Sequence, residues 1–356
     1  MIQPIMSYKP ALEQALRESF SEFRGVLPSV ISPQAKWALS TMEEYSLRPG
    51  KRVRALLAVA TAMHDDTVAE RDALKIGCVV ELMHDYLLIV DDVMDQSALR
   101  RGKPTVHLLY KAEYGDEVSE FEAEMVAINV GLLVQHMASW LLGTIDTTAQ
   151  NYAQLCQIVH TNIAVTGLGQ IDDTYQQLGR NGTSVEDITR KYQQKSGYYS
   201  FINPLQAGLA LCGKHSDRVK QVAEAYGLAA GVAFQLNDDY DGLFGKSEVT
   251  GKENLDDIRD GKFTLLIQQG LERGNDEQRK TLTHLLGNRE ATTEDLETVR
   301  DILTQTGAAD YVRDEARKQA AVAAKVARDG IDIWGEAFAK ELEALAQTIL
   351  GSLARG

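Results

Sequence analysis

The sequence predicts an all-α protein folded as one domain, and three observations carry that prediction. The periodic segments are long and rich in Ala, Leu, Glu, Gln and Arg, which give up little on entering a helix. Proline occurs only 7 times in 356 residues. No linker, repeat, low-complexity stretch or composition shift divides the chain, and 44% hydrophobic residues are ample for a large core.

Taken in order, the chain starts with an amphipathic stretch over about residues 10–23. Ser32 and Pro33, a capping hydroxyl followed by proline in the first turn, then open a helix that runs to Tyr45. A basic cluster, Arg48, Lys51, Arg52 and Arg54, stands at the head of an apolar helix over 55–63. Residues 78–90 are apolar around nearly the whole circumference, so this segment is a buried helix, and it ends in Asp91, Asp92 and Asp95. After a loop holding Arg100 and Arg101 come helical segments over about 121–144 and from Tyr152, the latter containing Gly169, Gln170 and Asp173. Thr183 and Glu186 form a capping-box pattern for the next helix. There, Lys195, Ser196 and Gly197 place a cation and a hydroxyl beside a residue able to kink the chain. Residues 231–245 repeat the earlier logic, an apolar helix ending in Asp238, Asp239 and Asp241. A loop with Gly251, Lys252, Asp257, Gly261 and Lys262 follows, and amphipathic helices over 295–305, 308–327 and 337–353 complete the chain as packing.

Charge and cysteine content exclude several classes. A net charge of −14 disfavours nucleic acid and anionic lipid as partners, so an anionic substrate needs local cations or metals. Cys78, Cys156 and Cys212 are odd in number and widely spaced, which reads as reduced thiols in a cytoplasmic protein. No basic start followed by an apolar run marks a signal peptide. The most membrane-like stretch, 125–145, is interrupted by Asn129, Gln135, His136 and Ser139 and reads as a core helix, without stable membrane insertion.

The chemistry sits at the two acidic helix ends. Asp91 and Asp95 share a face at i,i+4, and a helix C-terminus is already the negative end of the dipole, so these carboxylates need a cation. Arg100 and Arg101 could supply it as a local ion-pair cluster. The second cluster favours Mg²⁺ instead, because Mg²⁺ takes one or two carboxylates and completes its shell with water and phosphate oxygens. Lys51 and Arg54, near free backbone N–H groups at a helix start, make a second anion site.

In this arrangement the chain resembles the trans-isoprenyl diphosphate synthases. Asp91-Asp92-x-x-Asp95 followed by Arg100-Arg101-Gly102 is similar to that family's first aspartate-rich motif, and Phe234-Gln235-x-x-Asp238-Asp239 to its second. Gly50-Lys51-Arg52, His84, Gly169-Gln170-x-x-Asp173, Lys195, Gly251-Lys252, Asp257 and Lys262 continue the likeness in order over about residues 45–270. The resemblance implies a bundle of antiparallel helices around a central cavity and head-to-tail condensation of isopentenyl diphosphate with an allylic diphosphate. It further implies about three Mg²⁺ ions on Asp91, Asp92, Asp95, Asp238 and Asp239, assisted by Arg100, Lys195 and Lys252. A metal-free diphosphate would be held by Lys51, Arg54, His84 and Arg101, with Lys262 also binding substrate. Ser196 and Gln235 would lie near the cationic carbon, and the protein would be a homodimer. Three departures stand out: Gly242 replaces the second motif's last Asp, Ser196 replaces the usual Thr, and Gly131-Leu132 stands where Gly-Asp is expected.

Tyr86 lies five residues before Asp91, about 7.5 Å along a helix. With Leu87 beside it, the resemblance implies that this aromatic stops chain growth at C20, or at C15. Alternatives are a class I terpene cyclase, a regulatory subunit, and a phosphohydrolase built on His64-Asp65 and His84-Asp85. In the cyclase pattern counted from Asn237, the later positions hold Tyr240 and Phe244 instead of a hydroxyl and a Glu.

Overall fold

The computed structural model describes residues 3–177, 183–245, 254–351 and 353, which are almost entirely helical. The chain forms two compact units, one of Gln3–Val159 with Asn203–His215, the other including His160–Ile202 and Ser216–Gly356.

The first unit holds α1 (Gln3–Ser7), α2 (Lys9–Val26), α3 (Pro33–Ser46), α4 (Val53–Met63) and α5 (Glu70–Met94). A two-residue hairpin, β1 (Leu99–Arg100) against β2 (Lys103–Pro104), leads to α6 (Val106–Tyr114) and α7 (Glu120–Leu142). The start of α8 (Ala149–Gln177) and α10 (Asn203–Leu211) complete it. The Ser32 hydroxyl accepts the Ala35 N–H at 3.1 Å, and Pro33 follows it as the sequence predicts. Because α5 is apolar on nearly every face, it packs against α4, α7 and α10 at once. The expectation that residues 125–145 lie in the core holds for one side of α7 only. Phe121, Met125 and Leu132 share a face and are 66%, 37% and 41% exposed.

In the second unit, α9 (Val185–Tyr192) runs into a ten-residue π-helical stretch, Gln193–Ile202, at the predicted kink. The cap of α9 is Ser184 paired with Asp187, one residue later than the sequence suggested. Capped by Ser216, α11 (Asp217–Phe244) packs on the π-helical stretch and on a long helix from the C-terminal third. That third contains α12 (Asp256–Arg259), α13 (Leu265–Arg273), α14 (Asp276–Leu285), α15 (Thr293–Gln305), α16 (Ala308–Asp329) and α17 (Ile331–Thr348). The helix on α11 is α16. The reading of 337–353 as a separate helix reflects Gly335, whose φ of 74° breaks α17 just before it.

Candidate active site

In the first unit the acidic end of α5 divides its aspartates between the protein and solvent. Asp92 is 1% exposed and gives both oxygens to the chain. It accepts the Tyr45 hydroxyl at 2.9 Å and Arg100 Nε at 2.7 Å. Burial drives its carboxyl above the usual range, and Arg100 opposes that shift. Asp91 keeps 23% of its side chain exposed, with Arg100 Nη2 3.6 Å away. Asp95, which caps α5, is also partly exposed.

The basic residues divide in the same way. Arg48 is buried against Glu44 and the Arg100 carbonyl, and Arg52 against Glu81. Lys51 is exposed and Arg54 partly so. Arg101 pairs with Glu81 at 3.1 Å and Asp85 at 3.2 Å, while its buried Nη1 has no hydrogen-bond partner, a donor left for an anion. Burial, then Arg54 and Arg101, hold the His84 imidazole well below its usual range, so it is neutral near pH 7. The Tyr86 ring lies over Gly131 of α7, where an added Cβ would sit 3.6 Å from its Cδ2. Leu87 beside it is partly exposed.

The second unit repeats the division at the end of α11. Asp239, buried, accepts the Tyr192 hydroxyl on one oxygen and Gln235 Nε2 at 2.8 Å on the other. Burial raises it to about 6. Asp238 is exposed. Ser196 donates to Gln235 Oε1 at 2.5 Å, so the Gln235 amide is fixed at both ends. Lys195 reaches Asp173 at 2.5 Å and Lys191 reaches it at 3.0 Å. Burial works against ionisation of Asp173, but the two lysines outweigh it and hold the carboxyl well below the usual range. Gly169 permits this pairing, since a Cβ there would come within 2.8 Å of Lys195 Cα.

Lys262 donates to Asp257 at 2.8 Å. The Asp257 carboxylate sits where a side chain on Gly242 would be, its Cγ 3.1 Å from a Cβ built there. Lys252 and Gly251 lie outside the described residues.

At the two helix ends the five aspartates expected to hold metal differ in their protein partners. Both oxygens of Asp92 and Asp239 accept from protein partners, whereas Asp91 and Asp95 are partly exposed and Asp238 is exposed. Arg100 likewise serves Asp92 first. Sequence reasoning missed Tyr45 and Tyr192, because each meets its buried aspartate across 47 residues of chain, a tertiary contact that no local pattern marks. It also missed Glu81.

Among the described residues no group of three or more His, Cys, Asp or Glu side chains closes around a metal ion by itself. Oxygen-only donors in ones and twos fit Mg²⁺, which needs few protein ligands when phosphate supplies the rest.

A family model described as polyprenyl synthetase matches residues 35–303. The chain is 30% identical over 312 residues to the geranylgeranyl diphosphate synthase of Saccharolobus solfataricus, covering 86% of this chain and 89% of that one. It is 30% identical over 263 residues to farnesyl diphosphate synthase 1 of Artemisia spiciformis, covering 71% and 72%. Its fold is similar to the crystal structure of geranylgeranyl pyrophosphate synthase from Corynebacterium glutamicum complexed with isoprenyl diphosphate and magnesium. That match has a TM-score of 0.89 and 25% identity, and covers 98% of this chain and 99% of the other.

Proposed function

Because the chain belongs to the polyprenyl synthetase family, we propose that its acid-tipped helices serve a short-chain isoprenyl diphosphate synthase making the C20 geranylgeranyl product. The enzyme is a prenyltransferase that joins isopentenyl diphosphate head-to-tail to an allylic diphosphate. One observation supports the residue assignment: at each acidic helix end one aspartate is buried against a tyrosine while its neighbour is more exposed.

In this reading Asp91 and Asp95 at the end of α5, and Asp238 at the end of α11, would be the ligands of about three Mg²⁺ ions, whose remaining positions phosphate oxygens of the allylic diphosphate would fill. Bound there, Mg²⁺ supplies the Lewis acid that neutralises charge growing on the leaving group. Asp92 and Asp239 support the helix ends. Lys195, steered by Asp173, adds a charge-assisted contact to the leaving diphosphate; Lys262, paired with Asp257, is a further cation, and Lys252 is assigned the same role by the family likeness alone. Lys51, Arg54 and the spare Nη1 of Arg101 hold the metal-free diphosphate, with neutral His84 as an N–H donor. As the allylic C–O bond breaks, the fixed Gln235 amide oxygen and the Ser196 hydroxyl present dipoles to the cationic carbon. The isopentenyl double bond attacks that carbon through C4, and the released diphosphate takes the proton then lost from C2 of the resulting tertiary cation. Apolar side chains along α5, Tyr86 and Leu87 among them, exclude water from the cation.

Tyr86→Ala is expected to lengthen the product, read by chromatography of the dephosphorylated chains, because it removes the aromatic proposed as the stop. We further place the protein in the cytoplasm, consistent with three unbridged cysteines, as a homodimer whose second copy covers the apolar face of α7.

The deciding experiment incubates the purified protein with labelled isopentenyl diphosphate and C5, C10 or C15 allylic primers, with and without Mg²⁺. Condensation to C20 only with the metal supports the reading. Hydrocarbon release from farnesyl diphosphate alone would instead identify a cyclase.

A further inference from the structure

Among the described residues only three non-glycine positions have left-handed φ, and two of them are Arg52 at 56° and Arg101 at 54°. Such backbone persists only where side chains over-determine it. Both guanidinium groups end on the same carboxylate. Arg52 Nη1 donates to Glu81 Oε1, and Arg101 Nη2 donates to that oxygen at 3.1 Å. Arg101 Nη2 also lies 3.2 Å from Oδ1 of Asp85, one turn further along α5. Arg52 Nη2 closes its own loop by donating to the Ser46 and Arg48 carbonyls at 2.7 Å each. Glu81 and Asp85 are 2% and 0% exposed. The loop before α4, which carries Lys51 and leads to Arg54, is thus tied through one turn of α5 to the hairpin loop carrying Arg101. A Cβ on Gly50 would sit 3.5 Å from Arg101 Nε, so the two loops also approach directly.

Burying ion pairs costs about as much solvation as attraction returns, so a cluster of this kind is poorly explained as a source of stability. It does fix where cations stand. We propose that Glu81 and Asp85 are positioning residues that set the separation of Lys51, Arg54 and Arg101, and so the fit of the metal-free diphosphate. The assignment rests on the prenyl-transfer reading. It adds two acidic residues that contact no substrate yet determine affinity for one of the two.

The test uses Glu81→Gln and Asp85→Asn, each close to isosteric, with isopentenyl diphosphate and the allylic primer varied separately. The KM for isopentenyl diphosphate should rise about tenfold, with the allylic KM and the Mg²⁺ requirement within about twofold of wild type. If the wild-type protein fails to condense the substrates, the functional reading itself falls. If wild type is active but the variants keep its KM values, raise both equally, or lose only kcat, the positioning role is overturned. Loss of one partner from a buried pair is itself costly, so where a variant unfolds the reading passes to Glu81→Asp, which keeps the charge and shortens its reach; an unchanged KM for isopentenyl diphosphate there overturns the positioning role.

Discussion

Asp91 and Asp92 are chemically identical and adjacent, and the helix turns one to solvent and the other onto Tyr45 and Arg100. Their substitutions should therefore fail differently. Asp91→Asn is expected to keep wild-type stability and lose about 10²–10³ in kcat, recovered in part at raised Mg²⁺. Asp92→Asn leaves Arg100 without its full counter-charge and should cost about 3 kcal/mol in urea unfolding. Asp239 adds a pH dependence. Its carboxyl is raised from 3.8 to about 6 by burial, so the folded state binds this proton more tightly than the unfolded chain. Its stabilising contribution is full below about pH 4 and is lost as pH rises through about 6, up to ~3 kcal/mol. Unfolding at stepped pH should show a shallower decline for Asp239→Asn than for wild type. At this scale the sequence made the acid clusters legible, because clustered carboxylates on apolar helices need a cation. It could not separate inward from outward aspartates, since that depends on a tyrosine 47 residues away.

Among the elements, the π-helical stretch Gln193–Ile202 turns Lys195 toward Asp173 and Ser196 toward Gln235. It can do so only because Gly169 lets α8 approach its backbone. Gly169→Ala would push α8 away, and overpacking of this kind costs about 1–3 kcal/mol. The expected outcome is a lowered thermal midpoint together with weaker allylic diphosphate binding; loss of neither would detach this contact from the site. Periodicity predicted the helices well because long apolar stripes survive most contexts, as α5 and α11 show. Short elements were not legible. The hairpin at Leu99–Pro104 has too few residues to show alternation, and α14 is strongly polar.

For the whole molecule, the homodimer proposed on the apolar face of α7 should run at about 79 kDa, twice 39.3 kDa, in light scattering. Phe121→Arg, placed on that 66% exposed ring, should shift the mass to the monomer. A wild-type monomer would remove the proposal. Fold class was readable from composition together with helical periodicity. The two compact units were not, because no linker or change of composition marks where the chain passes between them.

Asp257 fills the space beside Gly242, and this constrains how such a chain can change over time. An acid introduced at 242 alone would meet the Asp257 carboxylate already seated there, so the change at 257 has to come first or together with it, and a library that varies position 242 alone samples only the crowded arrangement.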